Sequence, residues 1–162
     1  MRVDHLNDRV TDYMTSIKTV VEKKTYWEEK TKPLLRDTLH EIAKTFSLGW
    51  KVQELDWIHN DDAINITFDS FPAELVDCTN KIPAFQFIPG AALVFSQSYN
   101  GQVFVFVLYP QIETEQVDTG MIKLGAFTPQ EITRKLIIEK VDAFLKEMIN
   151  WEVPSLKTKL GF

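Results

Sequence analysis

Apolar positions near the start of the chain recur at alternating spacings of three and four: Val3, Leu6, Val10, Tyr13, Ile17, Val20 and Trp27, with Lys24 in the one polar slot. This is an a/d seam sustained over about three and a half heptads, and it predicts a long amphipathic helix. The intervening Asp, Lys, Arg, Glu and Thr suit a solvated face. A helix of about 25 to 28 residues would be roughly 40 Å long at 1.5 Å per residue, more than a small sheet covers by itself. Two readings follow: a long helix packed on its own domain, or a coiled-coil-like contact with the next helix or a second subunit.

The next segment, "KTKPLLRDTLHEIAKTFSLG", repeats the helical period through Leu35, Leu39, Ile42 and Phe46. Pro33 fits a first helical turn, where its missing N–H costs nothing. Gly49 is placed as a left-handed cap or turn residue. Because the break at residues 30 to 33 is short, an antiparallel αα-hairpin is the favoured geometry, with a single kinked helix as the alternative.

From Trp50 the period drops to two. "WKVQELDWI" and "AINITF" read as strands joined by "HNDD", with Ile64, Ile66 and Phe68 on a buried face and Asn65, Thr67 and Asp69 on a wet one. "FPAELVDCTNKIP" reads as either a helical turn or an irregular crossover, "QIETEQVDTG" as an acidic loop or strand extension, and "MIKLGAF" as a candidate last strand.

The most apolar stretch, "GAALVFSQSYNGQVFVFVLYPQ", holds the strongest hairpin signal, Asn100-Gly101. A two-residue turn there would pair Tyr99 with Gln102, Gln97 with Phe104, Phe95 with Phe106 and Leu93 with Leu108. It would gather Phe95, Gln97, Tyr99, Phe104 and Phe106 on one large aromatic face and leave Ser96 and Ser98 among valines. Both faces are apolar enough to need cover, which places the hairpin centrally. Gln97 is then either a partly exposed side chain near the turn or a polar group orienting a small molecule in an aromatic pocket.

"FTPQEI" supplies a helix start: Thr128 as N-cap, Pro129 at the first position, Glu131 completing a capping box, and Phe127 with Ile132 as a hydrophobic staple. Ile132, Leu136, Val141, Phe144, Leu145, Met148 and Ile149 mark the buried face of the closing helix. The sum is one α+β domain over residues 1–162: a helical segment (1–48), a mainly antiparallel sheet of four or five strands (49–126), a carboxy-terminal helix packed on it (127–150) and a short basic tail (151–162).

Composition narrows function mainly by exclusion. The 162 residues suffice for a proper core, and 44% hydrophobic with 25% charged residues is ordinary for a globular domain. No apolar run approaches the roughly 20 residues that cross a bilayer, and "MRVDHLNDRV" lacks the apolar stretch of a signal peptide. A net charge of −5 without a basic run opposes general nucleic-acid binding. Cys78 is the only cysteine, so no internal disulfide forms and a reducing cytoplasm is the simplest setting.

Candidate chemistries mostly fail on spacing. "HEIAK" begins like a helical zinc motif, but Lys44 stands where a second imidazole must be, and His40 falls about 140° around the helix from Leu35, toward solvent. Asp37 and His40 have the i, i+3 spacing of a metal pair but no matching pair on another helix. "GMIKLGAF" lacks the lysine and hydroxyl residue of a phosphate loop. His59 with Asp61 or Asp62 could pair as base and carboxylate, yet Asn and Asp are what a strand-to-strand turn prefers. Asp77 would raise the Cys78 thiol pKa, which disfavours a nucleophile. The expectation is therefore a non-enzymatic cytoplasmic interaction protein without cofactor or metal, a homodimer or a binder of another protein, working through the seam and the sheet. The alternative is a small-molecule binder or enzyme that uses the aromatic face.

Overall fold

The computed structural model of the chain describes residues 3–56, 62–68, 91–109 and 121–152. The heptad segment is helical as the spacing predicts, but it does not fold back. Helix α1 (Leu6–Tyr26) runs through a π-helical turn (Trp27–Thr31) into α2 (Lys32–Thr45), giving 40 consecutive helical residues. The expected αα-hairpin is therefore replaced by its alternative, one long helix. Pro33 explains why a π turn sits here. A proline inside an α-helix lacks an N–H and its ring meets the carbonyl four residues back. The turn upstream widens the helix, and the Lys32 N–H reaches the Trp27 carbonyl, five residues back. Gly49 closes the segment at φ 81°, as its position foretold.

Among the described residues five strands follow, β1 (Trp50–Asp56), β2 (Asp62–Phe68), β3 (Ala92–Gln97), β4 (Val103–Leu108) and β5 (Met121–Phe127). They pair antiparallel in chain order, each beside its sequence neighbours. The α+β architecture expected from the alternating patterns is the one that forms. Helices α2 and α3 (Arg134–Glu152) pack on one face. Its core holds Leu35 and Leu39 from α2, Ile64, Ile66, Leu93, Phe95 and Val105 from the sheet, and Ile137, Val141 and Phe144 from α3. Trp50 stacks on Phe68 at 5.5 Å, and Phe68 meets Phe144 at 5.6 Å, which joins the sheet edge to α3. The other face is apolar as well: Ala63, Ala92, Val94 and Phe106 form a second cluster. Asn65 lies on that face and is buried, not wet, on an interior strand flanked by β1 and β3.

The β3–β4 hairpin turns differently from expectation. Ser98 N–H donates to the Gln102 carbonyl at 2.8 Å and Gly101 N–H to the Ser98 carbonyl at 2.9 Å, so Tyr99, Asn100 and Gly101 form a three-residue loop. Asn100 Oδ1 accepts from the Gln102 N–H at 3.0 Å and from the Ser98 hydroxyl at 2.6 Å, while Gly101 takes φ 89°. A type I turn followed by a left-handed glycine matches strand twist as well as the two-residue turn does. The register moves by one residue: Gln97 pairs with Val103, Ser96 with Phe104, Phe95 with Val105 and Val94 with Phe106. Since side chains alternate, a slip of one sends a whole strand's set to the opposite face.

Before the closing helix, the Glu131 carboxylate accepts from both the N–H and the hydroxyl of Thr128, at 3.0 and 2.9 Å. The capping box thus forms, but it opens a single 3₁₀ turn, Pro129–Glu131. Ile132 is extended at ψ 108°, so the helix proper begins later, with Thr133 Oγ1 accepting from the Leu136 N–H at 3.2 Å. Ile132, Val141, Phe144 and Met148 are buried as the spacing predicts. Ile137 enters the core where Leu136 was expected, Leu136 and Leu145 pack at its margin, and Ile149 is exposed. The readings made for "FPAELVDCTNKIP", "QIETEQVDTG", His59, Asp61, Cys78 and the chain beyond Glu152 lie outside the described residues.

Candidate interaction site

Helix α1 is unusual in what it leaves undone. None of its 21 residues is buried, and every residue from Val3 to Thr19 is exposed. The seam residues Leu6, Val10, Tyr13 and Ile17 therefore face solvent, with Tyr13 63% exposed and Val10 58%. Met14 and Val21 stand beside them, also exposed. These two were absent from the a/d pattern because each follows a d position, and they widen the stripe into the three-in-seven face typical of bundle helices. Only toward its end does the seam meet the domain: Val20 is half-buried and Trp27 is fully buried.

The base of this helix is held by a polar latch at one end of the sheet. Trp27 Nε1–H donates to Asp62 Oδ2 at 2.8 Å, and Lys32 Nζ donates to the same oxygen at 2.9 Å. The Thr31 hydroxyl donates to the Pro129 carbonyl at 2.9 Å. Gln97 Nε2 donates to the Lys23 carbonyl at 3.3 Å and to the Gly101 carbonyl at 3.1 Å. Arg36 on α2 pairs with Glu54 on β1 at 2.6 Å. Burial works against charge on Asp62, but the hydrogen bonds from Trp27 and Lys32 and the lysine charge outweigh it and hold the carboxyl below its ordinary 3.8. Lys32 is raised above 10.5 by the same balance: burial opposes the charge, and Asp62 overcomes it. Asp62, expected in the turn, is thus the first residue of β2 and the anchor of the π turn.

The five residues expected on one aromatic face divide three ways. Phe95 and Gln97 lie with Val103 and Val105 on the face covered by the helices. Phe104 and Phe106 lie on the opposite face, where Lys123 Nζ sits 5.0 Å over the Phe104 ring. Tyr99 is in the hairpin loop, 81% exposed. The Gln97 amide spends its donors on backbone carbonyls of the protein itself. His40 and Asp37 are exposed, and among the described residues no cluster of His, Cys, Asp or Glu could hold a metal ion. No described helix is long and apolar enough to cross a membrane.

No family model, curated protein or solved structure matches the chain.

Proposed function

We propose that the chain is a non-enzymatic assembly protein that forms a homodimer through α1, with the sheet domain as the platform that carries the helix. The observation that supports this is a helix of 21 residues with nothing buried, presenting Leu6, Val10, Tyr13, Met14, Ile17 and Val21 on one side. Most helical stability in proteins comes from packing an apolar face rather than from propensity. A partner along the stripe supplies the burial that the described residues do not. A reducing cytoplasm is the compartment that a single cysteine suits, and neither metal nor cofactor enters this reading.

The test is the pair of substitutions Val10→Asp and Ile17→Asp. Both side chains are exposed in the single chain, so the sheet domain should still fold. Light scattering should report twice the monomer mass for the wild type and a monomer for the double variant. The helical circular-dichroism signal should fall with the partner. A wild-type protein that stays monomeric at every concentration would overturn the proposal.

A further inference from the structure

The occupant of the α1 stripe, and the way it lies, are written in three features of the helix. The first is charge. From Val3 to Tyr13 the helix carries Asp4, Asp8 and Asp12 against Arg9; from Met14 to Tyr26 it carries Lys18, Lys23 and Lys24 against Glu22. The amino-terminal half is therefore negative and the carboxy-terminal half positive. The acidic half suits the amino-terminal end of the helix dipole, and in a reversed copy it is set toward the partner's basic half, Asp4 beside the partner's Lys18. In a parallel copy acidic half would face acidic half. A lipid surface is a poorer match, since amphipathic membrane helices line their polar face with Lys and Arg throughout.

The second feature is the polar seam residue. Lys24 occupies an a position. Parallel pairing stacks each a residue on its counterpart, so two Lys24 ammonium groups would meet at the end of the seam. Antiparallel pairing sets a against d. Placing Val10 beside the partner's Tyr13 also places Leu6 beside the partner's Ile17 and Val3 beside the partner's Val20. Repeated by symmetry, this gives six apolar layers, all within Val3–Val20, with Lys24 outside them. The overlap spans roughly 26 Å at 1.5 Å per residue.

The third feature is the domain itself. Beyond Val20 the d side of the seam is covered by the chain's own body. Trp27 is fully buried, and the hairpin loop comes so near that a Cβ at Gly101 would lie 2.7 Å from the Lys23 Cβ. A parallel dimer puts both bodies at this same end, against each other on the seam. An antiparallel one separates them to opposite ends.

From these we infer that two copies of the chain pair through α1 in antiparallel orientation, Leu6 of each against Ile17 of the other, with the two sheet domains at opposite ends of a short helical stem. This inference rests on the reading of α1 as a self-association surface, and its orientation can fail without that reading failing. A closed twofold contact of this kind is self-complementary and stops at two subunits.

Cysteine cross-linking decides it. In the full chain with Cys78→Ser, one preparation carries Leu6→Cys and a second, mass-tagged, carries Ile17→Cys. Both positions are exposed, so neither change touches the core. On mild oxidation the mixture should give the mixed disulfide, while each preparation alone should stay unlinked. Self-linked Leu6→Cys dimers would overturn the antiparallel arrangement but keep the helix as the interface. A dimer by scattering in which neither position links would overturn α1 as the contact. Monomers by scattering before oxidation would overturn the self-association reading together with its orientation.

Discussion

Gln97, at the end of β3, donates its amide to the backbone carbonyl of Lys23 on the projecting helix, 74 positions earlier in the chain. The same nitrogen reaches the Gly101 carbonyl, so one side chain ties helix, strand and hairpin loop together. That contact sets where α1 leaves the domain, and with it which part of the apolar stripe stays open.

Replacing Gln97 by Leu should leave the buried carbonyls it serves without that donor. An unpaired buried polar group costs roughly 1–3 kcal/mol, so a destabilisation of that size is expected in urea unfolding. If Gln97 instead served a ligand, the change would leave the free protein as stable as before.

Gly101 is constrained twice: by φ 89° and by the approach to Lys23. Gly101→Ala should lower stability by about 1–3 kcal/mol, since a left-handed alanine is strained and its Cβ must displace the helix or the loop. A melting temperature within error of wild type would contradict both constraints.

Asp62 should make stability depend on acid. Its carboxyl is depressed in the folded state, so its contribution is present above the ordinary value of 3.8 and is lost as pH falls through the lower folded value. Asp62→Asn should cost about 1–3 kcal/mol at neutral pH, by removing the charge that pairs with Lys32 and strengthens the Trp27 bond while an amide oxygen remains, and the gap to wild type should close in strong acid. Lys32 has the opposite sign. Its contribution holds below 10.5 and fades as pH rises through the raised folded value. Urea midpoints across pH, for wild type and variant, test both limbs.

Thr38 offers a gain. Its hydroxyl is buried on α2 with no hydrogen-bond partner among the described residues. Thr38→Val keeps the shape and removes the unsatisfied oxygen, so stability should rise by about 1 kcal/mol. A loss would mean that the hydroxyl has a partner in solution.

How much of this was legible depends on how local each cause is. The heptad spacing of α1, the alternation in Ile64, Ile66 and Phe68, and the Thr128–Glu131 capping box are short-range patterns, and each forms. The errors fall where two local solutions were nearly equal. Asn100-Gly101 can close a hairpin over two residues or three, and with apolar side chains on both faces of β3 and β4 no polar residue penalised the other register. The break at Lys30–Pro33 could turn back or continue, and continuation needed Asp62, Pro129 and Gln97 to hold the π turn.

By itself, then, the chain's sequence determined that a long amphipathic helix, an antiparallel sheet and a closing helix would form, because hydrophobic period and capping chemistry act over a few residues. Only the tertiary structure decided which stripe stayed open. The exposure of Leu6, Val10, Tyr13 and Ile17 and the burial of Trp27 belong to one continuous seam, and what separates them is where the sheet ends beneath it. Burial is a property of neighbours brought from far along the chain, and spacing within one helix carries no record of them.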